Sequence, residues 1–160
     1  MSKKKKKEKK LTKIPTINRR LFRLASIVCR ENANEACEIC GMKKGTIHPV
    51  SKKPQRVEAH HVMSRSNKNS PLKFDIRNLV CLCTLCHKTG KRSAHKHGLW
   101  FAKEFEKIRA EDAKWILEHT DDTVNLQNRI TLAYIEKCLS TNKPLDFAPE
   151  ELLIKTNNNK

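Results

Sequence analysis

The stretch that decides the fold runs Cys37-Glu-Ile-Cys40, Glu58-Ala-His60-His61-Val, Asn78-Leu-Val-Cys81-Leu-Cys83-Thr-Leu-Cys86-His87 and Ser93-Ala-His95. Two Cys-x-x-Cys pairs frame a His-His dyad and an Asn, and His87 and His95 follow the second pair. Four thiolates about 2.3 Å from one ion are the donor set of structural zinc, so Cys37, Cys40, Cys83 and Cys86 are expected to hold Zn2+. The 42 residues between Cys40 and Cys83 exceed an ordinary finger loop. That segment must therefore fold as a unit whose ends the zinc ties together. Cys81 offers a competing register, because strand alternation puts it on the face of Cys83, but the spacing to Cys86 favours Cys83.

Val57 to Met63 reads as a short strand, Ser64 to Ser70 as a polar loop, and Asn78 to Cys83 as the returning strand. A helix is predicted to begin near Cys83 to His87. Adjacent residues of a strand point to opposite faces, so one of His60 and His61 can bind an ion while the other faces a substrate. His87, at the start of the predicted helix, can come back across the hairpin to share the ion with His60.

The order His60-His61, Asn78, His87, closed by N-L-V-C-L-C-T-L-C-H over residues 78–87, resembles the HNH endonuclease family in its zinc-supported form. The resemblance covers about residues 37 to 97, and the run R-S-N-K-N-S-P-L-K-F-D-I-R-N-L-V-C-L-C from Arg65, with its Cys-His and Ser-Ala-His sequel, is similar to HNH proteins carried by bacteriophages. It implies a ββα-metal core in which His60 and His87 ligate a catalytic divalent ion, Mg2+, Mn2+, Ni2+ or Zn2+. His61 is implied as the general base and Asn78 as the residue that orients it by a hydrogen bond across the hairpin. The implied substrate is DNA, duplex or branched, cut to a 5′-phosphate and a 3′-hydroxyl. One position departs from the pattern: many family members place a His one helical turn after His87, where this chain has Lys91. His95, two turns along with His97 behind it, is expected to complete the site. Lys91, Arg92 and Arg65 are expected to hold phosphate, and Glu58 and Asp75 are further oxygen donors for the ion or its ligands.

The rest of the chain supports or delivers to that stretch. With 5% aromatic and 32% charged residues among 160, the apolar core is modest and a metal substitutes for buried area. Net charge is +17 and the isoelectric point about 9.8, which points to a polyanionic partner. Residues 1–13 hold eight Lys and one Glu, a net +7, so the remainder still carries +10. That lysine block is read as a disordered tail able to track phosphates. No hydrophobic run follows it and none approaches a membrane span, so a cytoplasmic protein of a bacterial cell or phage-infected host is expected. In a reducing compartment the seven Cys are ligands or buried thiols before they are disulfides.

A helix is predicted over about 17 to 31, with Ile17, Leu21, Leu24 and Val28 inward and Arg19, Arg20, Arg23 and Arg30 on other faces. Cys29 on it reads as a small buried hydrophobe. Helices are also predicted over Leu99 to Arg109, Ala113 to His119 and Thr123 to Ser140, the last with Leu126, Ile130, Ala133 or Tyr134 and Lys137 or Cys138 on its apolar face, and a short one from Pro149. The expected fold class is thus α+β: a small ββα-metal core stapled by a four-cysteine zinc, flanked by an N-terminal helix and a C-terminal helical extension. Expected boundaries are a tail over 1–16, a nuclease domain with its preceding helix over 17–98, and the extension over 99–156. The alternative is a non-catalytic zinc-ribbon nucleic-acid-binding protein, which would have no need of the His-His, Asn, His set.

Overall fold

The computed structural model describes residues 11–48, 52–64 and 69–145. Most of the lysine block, Arg65 and the helix expected from Pro149 lie outside the described residues. Within them the chain is α+β, built on one antiparallel hairpin: β1 is Val57–His61 and β2 is Leu79–Cys83. The register pairs Val57 with Cys83, Ala59 with Cys81, His60 with Val80 and His61 with Leu79. Pleating then divides the hairpin into a face with Ala59, His61, Cys81 and Cys83 and a face with Glu58, His60, Val80 and Leu82. β2 is an unbroken apolar run, and all five of its residues are buried. A strand of that kind needs cover on both faces.

The first cover is α1, Ile14–Asn32, which packs against both strands. Pro15 is tolerated in its first turn, where no intrahelical acceptor exists for the missing N–H. Leu21, Ala25, Val28 and Cys29 are buried, while Arg19, Arg20 and Arg23 stay exposed. Burial, with Cys81 close by, pushes the Cys29 thiol up to about 12, so it is an inert packing group. The second cover is α2, Gly98–Ile108, joined to α3, Ala110–Glu118, with Phe101, Phe105 and Ile116 buried. Ile108, at the end of α2, is 42% exposed.

Arg109 sits at the break between these two helices, and its guanidinium donates to the Leu79 carbonyl at 2.6 Å and the Ile76 carbonyl at 3.2 Å. It also bonds the Asp112 carboxylate at 2.6 Å and lies 3.7 Å from Glu38, whose other oxygen accepts the Cys81 N–H at 2.7 Å. One side chain thus ties the helical extension to the hairpin and, through Glu38, to the first Cys pair. Arg109→Ala should cost about 2–3 kcal/mol, because charge-assisted bonds are lost and backbone acceptors are left unpaired. Urea unfolding followed by circular dichroism checks this as a lowered midpoint at unchanged slope.

Two expectations are corrected. The helix predicted near Cys83 to His87 is a single π-helical turn, Leu85–Thr89, and it stops at Gly90. A Cβ there would lie 2.7 Å from the Leu85 carbonyl oxygen, so the turn cannot wind on past a residue larger than glycine without shifting. Lys91 and Arg92 therefore lie in an exposed bend, not on a helix, and His95 is reached by a turn rather than two helical turns. The second correction concerns α4, which spans Arg129–Ser140 and not Thr123–Ser140. Asn128 caps it, its side chain accepting the Ile130 N–H at 2.8 Å, so Leu126 packs from a preceding loop and the helical count restarts. The buried face is Leu132, Ile135, Cys138 and Leu139, and Ile130 is 73% exposed. α4 closes on α1 through an Arg20–Glu136 ion pair at 2.6 Å and reciprocal amide bonds between Asn32 and Asn142. No helix among the described residues is long and apolar enough to cross a membrane.

Candidate metal centres and active site

Cys37 and Cys40 sit in a tight loop closed by Cys37 N–H to the Met42 carbonyl at 3.0 Å and Gly41 N–H to the Cys37 carbonyl at 2.8 Å. Gly41 takes φ +72°, the left-handed region glycine enters without penalty. Opposite it, Cys83 ends β2 and Cys86 lies in the π turn, its N–H pointing at the Cys83 sulfur at 3.5 Å. The four sulfurs lie within 4.8 Å of one another, and Cys40 Sγ and Cys83 Sγ are 3.7 Å apart. Tetrahedral zinc with bonds of about 2.3 Å needs an edge of about 3.8 Å. The cluster can hold a zinc ion. Its protonation behaviour fits: thiol donors from Cys83 and Cys86 hold Cys37 far below the ordinary thiol range, burial pushes Cys40 up to about 11, and the Cys37 and Cys83 sulfurs raise Cys86. Four sulfurs this close cannot all ionise unless a cation joins them.

On the other face of the hairpin His60, His87 and His95 converge, with one ring nitrogen of each within 4.8 Å of the others. His87 Nε2 and His95 Nε2 are 3.0 Å apart, a contact that two lone pairs tolerate only around a shared proton or a cation. The other His87 nitrogen, Nδ1, donates to Glu58 at 2.8 Å, and Lys88 donates to the same carboxylate oxygen at 2.6 Å. The Lys88 hydrogen bond, opposed by partial burial, holds the Glu58 carboxyl below its ordinary range. A carboxylate on Nδ1 fixes the tautomer that leaves Nε2 as an electron-pair donor, the usual support of a metal-ligating His. Burial, with His87 and His95 beside it, pushes His60 down to about 3, and burial also lowers His87. Both are neutral imidazoles near pH 7, the ligand form. Phe101 of α2 closes the floor, its ring 4.9 Å from that of His60 and nearly perpendicular.

His61 points the other way, toward α1, with the Phe22 ring 6.2 Å from its own. Its Nε2 is 3.0 Å from the Lys73 carbonyl. A carbonyl only accepts, so Nε2 carries the hydrogen and the neutral ring keeps its lone pair on Nδ1. Asn78 is fully buried and its side chain accepts the Met63 N–H at 2.7 Å while donating to the carbonyls of Leu72 at 2.9 Å and Met63 at 3.2 Å. The expected bond across the hairpin therefore goes to backbone on both sides of the loop that carries the Lys73 carbonyl.

Of the expected site residues, the structure brings together the four Cys as one group and His60, His87 and His95 as another, with His97 outside both. Lys91 and Arg92 are exposed and do not line the cleft over the histidines, where Lys88 does. Asp75 is buried in a structural pair with Arg77 at 2.8 Å and takes no part. Glu58 was legible as a partner because it lies two strand residues from His60 and so shares its face. Glu58→Gln, which keeps an acceptor and removes the charge, should weaken divalent-ion affinity by about 10- to 100-fold. Titration of the holoprotein with Co2+, followed by its visible absorption, checks this; unchanged affinity would remove Glu58 from the site.

Residues 37–93 match the family model described as HNH endonuclease. The matched segment is 57 of the 160 residues. It begins at Cys37 and stops short of His95, so the third ring of the His cluster comes from beyond it. No curated protein and no solved structure matches the chain.

Proposed function

We propose that the HNH domain at residues 37–93 makes this chain a divalent-metal-dependent endonuclease acting on DNA. The observation that carries the reading is the convergence of the His60, His87 and His95 nitrogens, backed by Glu58, beside a His61 whose tautomer is set by backbone. A divalent ion in that cluster would supply charge stabilisation at the phosphoryl oxygen and the leaving 3′-oxygen. His60, His87 and His95 hold the ion as neutral imidazoles. His61 takes the proton from the attacking water at Nδ1, and its Nε2–H bond to the Lys73 carbonyl stabilises the imidazolium that results. Asn78 keeps that carbonyl in place by bonding the chain at Leu72 and Met63. The products are a 5′-phosphate and a 3′-hydroxyl.

The zinc of the four cysteines is structural in this reading, because all four donors are sulfurs and no position is open to substrate. Residues 1–16 serve as a basic tail, 17–98 as the nuclease unit and 99–156 as a helical extension. Action in a bacterial or phage-infected cytoplasm is part of this reading, supported by the resemblance of residues 65–95 to phage-borne proteins. Nicking of supercoiled plasmid by the purified protein, with Mg2+, Mn2+, Ni2+ or Zn2+ in turn and with EDTA, tests the proposal. Ion-dependent nicking is expected. Binding of plasmid without cutting under every ion would favour the non-catalytic zinc-ribbon reading.

A further inference from the structure

A cleft of about 1690 Å3 opens over the histidines. Small-molecule sites run to about 300–1,000 Å3, so its size suits a segment of polymer. Its two walls differ in chemistry. The α1 wall offers Arg23 and Arg30 with Ser26 between them and no carboxylate from that helix. On the α2–α3 wall Lys103 and Lys114 are offset by Glu106 and Glu118, and Leu99 and Leu117 project into the opening, 76% and 73% exposed. One wall is cationic and the other is near-neutral and apolar, and the His pair lies between them. Both walls belong to helices outside residues 37–93, so the asymmetry is a property of this chain and not of the matched segment.

A paired duplex hides the faces of its bases in the stack and turns phosphate outward, so it has little to set against exposed leucines. An unpaired strand has phosphate along one edge and apolar base faces along the other. We propose that the cleft takes unpaired DNA, as a single strand, flap or bulge, with phosphates along Arg23 and Arg30 and splayed bases against Leu99 and Leu117. The proposal rests on the nuclease reading and names its substrate class. The strand lies across the hairpin so that one phosphodiester meets His61 on one side and the His60 cluster on the other.

The test uses the zinc-loaded full chain with His61→Ala, so that bound DNA is not cut, and fluorescence anisotropy at one fixed salt concentration. One labelled oligonucleotide is presented as a single strand, as a blunt duplex and as a duplex with an unpaired bulge. The unpaired forms should bind about tenfold tighter than the blunt duplex. Leu99→Ala with Leu117→Ala should erase that preference while leaving duplex binding and its salt dependence unchanged, because no phosphate contact is removed. Arg23→Ala should weaken every form and flatten the salt dependence. Equal binding of duplex and unpaired DNA, or a preference that survives loss of both leucines, overturns the proposal. So does a shift from dimer to monomer by light scattering in the leucine variant, which would assign the face to a second copy. If the unsubstituted protein still nicks plasmid with an ion, the nuclease reading stands whichever way this result falls.

Discussion

His61→Ala is expected to fold, to keep its metals and to bind DNA as the unsubstituted protein does, while strand cleavage falls by about 10²- to 10⁴-fold. That range is what a positioned general base contributes. The lost side chain belongs to neither candidate ligand group, since the four-cysteine group and the His60, His87, His95 group both form without it. Its Nε2–H donates to the Lys73 carbonyl and its ring meets the edge of Phe22, so loss of that bond should cost about 1 kcal/mol of stability. His60→Ala differs in a way that separates the two roles. It removes a ligand, so affinity for the catalytic ion should fall along with cleavage, and raised ion concentration should restore part of the rate. Added ion should not rescue His61→Ala if the proposed assignment holds, because a base and not a ligand is then missing. Plasmid nicking across an ion titration, with anisotropy for binding and a thermal melt for folding, reads all of this. Metal-dependent cutting by His61→Ala within tenfold of the unsubstituted rate would sink the assignment of the base.

How much of this was legible depends on whether a residue acts by its chemical type or through the course of the backbone. Cys37, Cys40, Cys83 and Cys86, and the pairing of His60 with His87, were legible because few side chains bind metal and their spacing survives any local rearrangement. The hairpin was legible too, since Val57 to His61 and Leu79 to Cys83 carry strand composition between loops. The partner of Asn78 was not. Its bonds go to main-chain atoms of Met63 and Leu72, and backbone positions carry no residue-type signal. The same holds for Lys73, which matters at His61 only through its carbonyl.

The buried face of α4 was misread for another reason. Periodicity counted from Leu126 ran across a helix start, and Asn128 as a cap resets the phase. Arg109 was missed because its acceptors, the Ile76 and Leu79 carbonyls just before and at the start of β2, lie some thirty residues earlier in the chain, and an Arg at the end of a predicted helix looks like solvent-facing charge. The walls of the cleft were hidden likewise. Nothing in the sequence marks Leu99 and Leu117 as a binding face, and only the tertiary arrangement sets them outward over the histidines.

In the proposed reading, loss of a zinc held by the four cysteines should be more damaging than any single change at His60 or His61. Cys40→Ser should release the ion to a mild chelator and leave a chain without a cooperative unfolding transition. Structural zinc contributes about 10–16 kcal/mol in small zinc modules, whereas whole domains are stable by only about 5–15 kcal/mol. A chain with 5% aromatic residues has little packing in reserve. The Cys37–Cys40 loop has few other ties: the Glu38 N–H bond to the Cys81 carbonyl, the Glu38 carboxylate and the Arg109 ion pair join it to β2. Without the metal those bonds must hold the loop against four crowded sulfurs.

Cys40 is the informative ligand to remove, because it is the most exposed of the four and only its sulfur end is partly buried against the cluster, so little packing is lost with it. Any large effect there comes from the ion. Cys29→Ala is the matching control: a buried thiol outside the cluster, whose loss should cost about 1–2 kcal/mol as a small cavity and leave zinc content at one structural ion per chain. Zinc released to a chromogenic chelator, read beside circular dichroism melts of both variants, separates the two cases. A Cys40→Ser protein that keeps its zinc, or loses it and still melts cooperatively near the unsubstituted temperature, would show that packing alone holds the hairpin. The staple would then be dispensable to the fold.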